Sequence, residues 1–256
     1  MLLHFQELGE GRPVIILHGL FGSSRNWQGI ARTLAENHHV ITPDLRNHGQ
    51  SFHESSMSYI DMADDIIALC DHLNLSDSVL IGHSMGGKVA MTIALTHPEQ
   101  FSALVIADIA PFDYEHGFHD LVEAMLKMDL KNLKHRTDAE AQLRAITDDM
   151  NVIQFILQNL VRVDGKFSWR INLDTISASL SSLSQFPENL KNRSCHIPSL
   201  FLGGSESHYM KSVHNAAIYR HFPAAEITMI EGSGHWLHAE KPKEFLHEVK
   251  AFINFV

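Results

Sequence analysis

Val79-Leu80-Ile81-Gly82-His83-Ser84-Met85-Gly86-Gly87-Lys88 is the stretch that decides the fold. Three apolar residues read as a short buried strand, Gly82 to Gly86 as a G-x-S-x-G turn, and Lys88 to Thr96 as the helix that follows. A serine on such a tight strand-to-helix turn projects its hydroxyl from the sheet edge, and the flanking glycines leave room for the bend. The helix then points its N-terminal amides at a reacting oxygen, where negative charge can develop. Taken alone, the five residues fit any glycine-rich turn. With a strand before and a helix after, they make Ser84 the candidate nucleophile.

Working outward, the same alternation recurs. Pro13 to Leu17, His39 to Thr42 and Ala103 to Ile106 are short, continuously apolar strand candidates. Between them, Trp27 to Glu36 and residues 58–73 carry one-sided apolar stripes, the second made of Ile60, Ala63, Ile66, Ile67 and Cys70. Such alternation predicts an α/β fold with a mostly parallel sheet covered on both faces. From Phe112 to Cys195 the strand signals vanish and helical stretches take over, at Leu121 to Asp129, Ala139 to Asp149 and Val152 to Leu160. Alternation resumes with a strand over Ile197 to Leu202, a helix near Lys211 to Arg220, a strand over Glu226 to Ile230 and a helix from Lys243 to Ile253. The expected organisation is a core made of 1–111 and 196–256, interrupted by a helical cap at 112–195.

Composition narrows the function classes. The chain has 256 residues, 45% of them hydrophobic and 20% charged, which is globular and ample for a sizeable core. A net charge of −10 argues against a nucleic-acid partner, because phosphate binding depends on clustered Lys and Arg. No apolar run reaches the ~18 residues of a membrane span, and Met1 to Glu7 lacks the basic and apolar regions of a secretory leader. Cys70 and Cys195 fit neither a metal spacing nor a disulfide framework, so a reduced, cytoplasmic protein is expected. Walker, dinucleotide and HExxH motifs are absent, so no cofactor and no metal are implied.

A serine nucleophile needs a base and a site for the oxyanion. His235 stands in Glu231-Gly232-Ser233-Gly234-His235-Trp236, a flexible loop after the strand ending at Ile230, and is preferred over His238. His38, His39, His116, His119 and His135 have no motif around them and read as structural. His18-Gly19-Leu20-Phe21-Gly22 closes the strand that begins at Pro13 and can turn backbone N–H groups toward a cleft. The Met85 and Leu20 amides are the candidate oxyanion donors, ahead of Phe21. Arg46 to Gly49 reads as a loop-stabilising segment, and Lys127, Lys131, Lys134 and Arg136 as a solvated helix face rather than a phosphate site.

Four segments carry a resemblance: HGLFGS at 18–23, DLRNHGQS at 44–51, GHSMGG at 82–87 and GSGHWLHAEKP at 232–242. Together they resemble the α/β-hydrolase superfamily, and DLRNHG and GHSMGGK more closely resemble the small bacterial YbfF-like esterases and thioesterases. The resemblance spans essentially the whole chain. It implies hydrolysis of a small-molecule carboxylic ester or acyl thioester by Ser84 and His235, with nucleophile, acid and histidine in that chain order. The same elbow also serves carbon–carbon bond hydrolases and cofactor-free haloperoxidases, and a non-catalytic capped ligand-binding protein would share the fold.

The acid departs from the commoner pattern. Most relatives carry an Asp in the loop after the strand matching Leu200 to Leu202, where this chain reads Gly203-Gly204-Ser205-Glu206-Ser207-His208. Glu206 is one candidate, although its serine neighbours suggest a solvated turn. Asp108, after Leu104 to Ala107, is the other, and some superfamily members place their acid there. An Asp after four apolar strand residues emerges at the carboxyl edge of the sheet beside the elbow, so Asp108 is preferred, with Glu206 as the alternative.

Overall fold

The computed structural model describes residues 1–114 and 118–256, which leaves His116 outside the description. In chain order the first part comprises β1 (Phe5–Leu8), β2 (Arg12–Leu17), a 3₁₀ turn at Ser24–Trp27, α1 (Gln28–Leu34), β3 (His38–Pro43), α2 (Tyr59–Leu73), β4 (Ser78–His83), α3 (Met85–Thr96) and β5 (Phe101–Ala107). Then come α4 (His119–Lys127), α5 (Arg136–Leu143), α6 (Met150–Leu157), β6 (Leu160–Val163), β7 (Lys166–Trp169) and α7 (Leu173–Ser184). The chain returns through β8 (Ser199–Gly204), α8 (Asn215–His221), β9 (Ala225–Ile230), a single turn α9 (Leu237–Glu240) and α10 (Pro242–Phe255).

Successive strand residues point to opposite faces of a sheet, and here both faces are apolar. Ile15, Leu17, Ile41, Leu80, Leu104, Ile106 and Phe201 pack on one side with residues of α2, α3 and the helices of 119–184. Val14, Ile16, Val40, Val79, Ile81, Val105, Leu200 and Leu202 pack on the other, with α1 and α10. That is why the strand runs read as continuously hydrophobic. The strand order is β1-β3-β2-β4-β5-β8-β9, parallel except at β1, which pairs antiparallel with β3. β1 had no sequence signal of its own: it is four residues long and half exposed, as an edge strand can be. Helix α2 begins at a reciprocal cap, Ser58 accepting from Asp61 N–H and the Asp61 carboxylate from Ser58 N–H, and ends at Asn74 in the left-handed conformation.

The segment between β5 and β8 is not purely helical. β6 and β7 form an antiparallel hairpin across Asp164-Gly165, both with positive φ (49° and 77°). Asp-Gly between two short strands is a hairpin signal. The strands span only four residues each, too few for a periodicity reading to separate from the helical stretch before them. Lys127 pairs with Glu123 on an exposed face of α4, and Arg136, also exposed, donates to Leu157 O (2.6 Å) and Leu160 O (2.8 Å). Arg136 thus ties down the α6–β6 junction while staying on a solvated face.

Candidate active site

β4 and β5 lie side by side in parallel register, with His83 opposite Ala107. The next residues, Ser84 and Asp108, therefore leave adjacent strands at the same level. Both adopt positive φ, 52° and 51°, which is costly for residues with a Cβ and marks two enforced bends. Ser84 N–H donates to Ala107 O (3.1 Å) and Asp108 N–H to Leu202 O (2.8 Å), so neighbouring strand ends hold each bend. Gly86 lets the elbow seat against β2: a Cβ there would stand 2.5 Å from both Leu17 O and His18 O.

Ser84 Oγ lies 3.1 Å from His235 Nε2, and His235 Nδ1 lies 2.6 Å from Asp108 Oδ2. Asp108 is fully buried, and each of its oxygens has partners. Oδ1 accepts from Gly204 N–H (3.0 Å), while Oδ2 accepts from His235 and from the Ser207 hydroxyl. The Asp108 carboxylate therefore favours the His235 tautomer protonated at Nδ1, which leaves Nε2 free to accept the Ser84 proton. Glu206 is exposed, and its recorded hydrogen bond is backbone, N–H to Ser233 O (2.9 Å). The loop after β8 thus reaches the site through Ser207 rather than through Glu206. Gly204 permits this, because a Cβ on it would meet Gly234 O at 2.2 Å. Ser207, in sequence only a polar neighbour of Glu206, is thus a partner of the buried carboxylate.

The loop after β2 supplies the other side. Phe21 takes positive φ (62°) and donates its N–H to His48 Nε2 (3.2 Å), so this amide is already engaged. Among the described residues the Leu20 and Met85 amides have no hydrogen-bond acceptor, and both residues line a cavity with Ser84. Two histidines buttress the loop. His48 accepts at Nε2 and donates from Nδ1 to Arg46 O (3.1 Å); His18 accepts from Leu45 N–H (2.9 Å) and donates to Gly19 O (2.8 Å). Each geometry requires a neutral ring. Burial lowers the His18 pKa, and burial with His18 close by pushes His48 down to about 3. Asp44 completes the support by accepting from Ser24 N–H (2.7 Å) and Gln50 N–H (2.8 Å). Arg46 makes a two-pronged contact with Asp65 (2.6 and 2.9 Å), as a loop-stabilising residue would.

His238 does not reach Ser84. It stacks on Trp27 at 4.1 Å with the rings nearly parallel, and burial takes its pKa down to about 3. His83 fixes the histidine loop, its Nε2 bonding His235 O at 2.8 Å. Burial, then His238 and His235, hold the His83 pKa well below the ordinary range. Tyr209 lies against the His235 ring at 4.2 Å.

Two cavities meet at Ser84. One is lined by Leu20, Met85, Lys88, Tyr114 and Tyr209 among others, the second by Phe118, Val152, Phe155, Ile156, His235 and Trp236. Aromatic and aliphatic walls surround a few polar groups, the make-up of a small-molecule site. Among the described residues no cluster of three His, Cys, Asp or Glu side chains is placed to hold a metal ion, and Cys70 and Cys195 are free and buried. No helix of the described residues is long and apolar enough to cross a membrane.

A family model for the alpha/beta hydrolase fold matches residues 12–242. The chain belongs to this family. Relatives of this α/β hydrolase include a zebrafish (Danio rerio) protein named sn-1-specific diacylglycerol lipase ABHD11, 41% identical over 97% of this chain and 80% of that one. Esterase YbfF of Escherichia coli is 34% identical over 97% of this chain and 96% of its own. Among solved structures, a marine microorganism esterase superposes with a TM-score of 0.94 at 37% identity, covering 98% of this chain and 99% of that one. The α/β hydrolase therefore sits among esterases and lipases, which supports a carboxylic ester hydrolase.

Proposed function

We propose that the protein is a serine hydrolase that cleaves carboxylic esters and acyl thioesters through an acyl-enzyme. The single observation that carries this reading is the continuous relay from Ser84 Oγ through His235 (3.1 Å) to Asp108 (2.6 Å). Ser84 Oγ attacks the acyl carbon while His235 Nε2 takes its proton. The carbonyl oxygen, now negative, is received by the Leu20 and Met85 N–H groups, which have no acceptor of their own among the described residues. Asp108 stabilises the imidazolium and keeps the ring oriented. His235 then returns the proton to the departing alkoxide or thiolate, and the ester bond breaks. In the second half, His235 takes a proton from a water that attacks the acyl-Ser84 carbonyl, then returns it to Ser84 Oγ as the Ser84–acyl bond breaks and the acid leaves. Residues 112–195 serve as a cap in this reading, because Phe118, Val152, Phe155 and Ile156 wall the cavity at Ser84. The compartment in this proposal is the cytoplasm, consistent with two free thiols.

The test is covalent labelling of Ser84 by a fluorophosphonate, followed by turnover on p-nitrophenyl esters of graded chain length, acyl-CoAs and diacylglycerols, the last chosen for the lipase relatives. Labelling at Ser84 with ester turnover supports the proposal. Absence of labelling would point to a non-catalytic capped binder. Labelling with cleavage of carbon–carbon substrates alone would move the reaction class.

A further inference from the structure

Lys88 is a buried cation in a cavity that otherwise suits a hydrocarbon. It sits one turn after Ser84 on α3, its own N–H bonded to Ser84 O at 3.1 Å, and it is 2% exposed. Its side chain reaches the cavity that Ser84, Leu20 and Met85 line. The ammonium donates to Ser184 O (2.7 Å) and Gln185 O (3.0 Å), the carbonyls at the end of α7. The Tyr59 ring lies 5.7 Å from it and the Tyr114 ring 5.2 Å. Both phenols are spent as donors, Tyr59 to Leu183 O and Tyr114 to Tyr209 O.

An ammonium has three N–H donors, and among the described residues the third has no acceptor. Nor does a carboxylate of the described residues pair with it. Asp113, whose charge reaches it from the segment after β5, is engaged by Phe186 N–H (2.6 Å) and by Lys191 (3.7 Å). Burial pulls the Lys88 pKa down to about 7, partly opposed by Asp113. A buried charge with an unused donor is costly, and an alkyl chain filling the cavity leaves that cost in place.

We propose that Lys88 is a specificity-determining residue that selects acyl groups carrying an oxygen acceptor beyond the reacting carbonyl, which takes the third N–H. This rests on the reading of Ser84 as nucleophile with the acyl group in the cavity it shares with Lys88. The acceptor is a carboxylate or a neutral oxo oxygen, and the experiment separates the two.

The p-nitrophenyl esters of pentanoate, 4-oxopentanoate and hemiglutarate are compared by kcat/KM in wild type, Lys88→Met and Ser84→Ala, with background hydrolysis subtracted. Wild type should favour at least one oxygenated ester over pentanoate by about tenfold, as one charge-assisted hydrogen bond allows. Lys88→Met should bring the ratio to about one, whatever it does to the absolute rates. A second measurement needs no variant. If the acceptor is a carboxylate, the hemiglutarate preference should fall as pH rises from about 6 to about 9 and Lys88 loses its charge, whereas a preference confined to 4-oxopentanoate should change less. A wild-type ratio near one with turnover that Ser84→Ala abolishes would overturn the proposal alone. So would equal losses on all three esters with a lowered Tm in Lys88→Met, which would make Lys88 a clamp on α7. Turnover that survives Ser84→Ala would overturn the underlying reading as well.

Discussion

Replacing Asp108 by Asn changes one atom of the relay and leaves the volume of the site intact. Gly204 N–H, 3.0 Å from Oδ1, requires an acceptor at that position, so the carbonyl of the substituted amide must face it. The amide NH2 then takes the Oδ2 position, 2.6 Å from His235 Nδ1. Two donors cannot share that contact. His235 must shift its proton to Nε2, where it points at Ser84 Oγ 3.1 Å away and can no longer accept. Catalysis through the wrong tautomer costs about four orders of magnitude in kcat, which is about 5 kcal/mol of barrier. The fold should be little affected: the Ser207 hydroxyl, which donates to Oδ2 in the native protein, can rotate and accept from the new NH2. A change in unfolding free energy of about 1 kcal/mol or less is expected. The assay is kcat on p-nitrophenyl butyrate beside a thermal melt, with Glu206→Gln as the control. Glu206 is exposed, so that control should stay within about twofold of wild type. An Asp108→Asn enzyme within about tenfold of wild type, or a severe loss in Glu206→Gln, would refute the assignment of Asp108 as the acid.

Ser207→Ala removes one hydroxyl donor to a buried carboxylate, so kcat should fall about tenfold to a hundredfold, with Asp108 still oriented by Gly204; unchanged kinetics would make Ser207 a packing residue. His235→Ala should abolish ester turnover, whereas His238→Ala should lower Tm through the lost stack on Trp27 and retain turnover; the reverse pattern in matched kinetics and melts would exchange their roles. Buried neutral His48, with its pKa near 3, takes up a proton on unfolding at any pH between about 3 and 6.5. Its contribution is complete above about 6.5 and is lost as pH falls toward 3, with a slope of up to about 1.4 kcal/mol per pH unit. Urea unfolding at about pH 7, 6 and 5 should show this slope flattened in His48→Gln, and an unaltered slope would place the proton uptake elsewhere.

The sequence by itself determined the α/β class, the strand-turn-helix around Ser84 and the sheet elements on either side of 112–195. Those depend on local patterns: continuous apolar runs for strands buried on both faces, one-sided stripes for helices, glycines where a Cβ would strike the neighbouring backbone. It also singled out His235 and preferred Asp108 over Glu206 as the acid. The short hairpin of Leu160–Val163 and Lys166–Trp169 escaped because four residues carry too little periodicity, although Asp164-Gly165 marked its turn. What only the tertiary structure supplies is the register of β4 against β5, which sets Ser84 beside Asp108 and is a property of two strands together. The contacts of Ser207 and Lys88 were out of reach, and for His48 the sequence showed a loop-stabilising segment but not its partner. Ser207 meets Asp108 across 99 residues, His48 meets Phe21 across 27 and Lys88 meets Ser184 across 96. Hydrogen bonds at such separations leave no spacing rule in the chain, because it is the packing of distant elements that puts donor and acceptor within reach of each other.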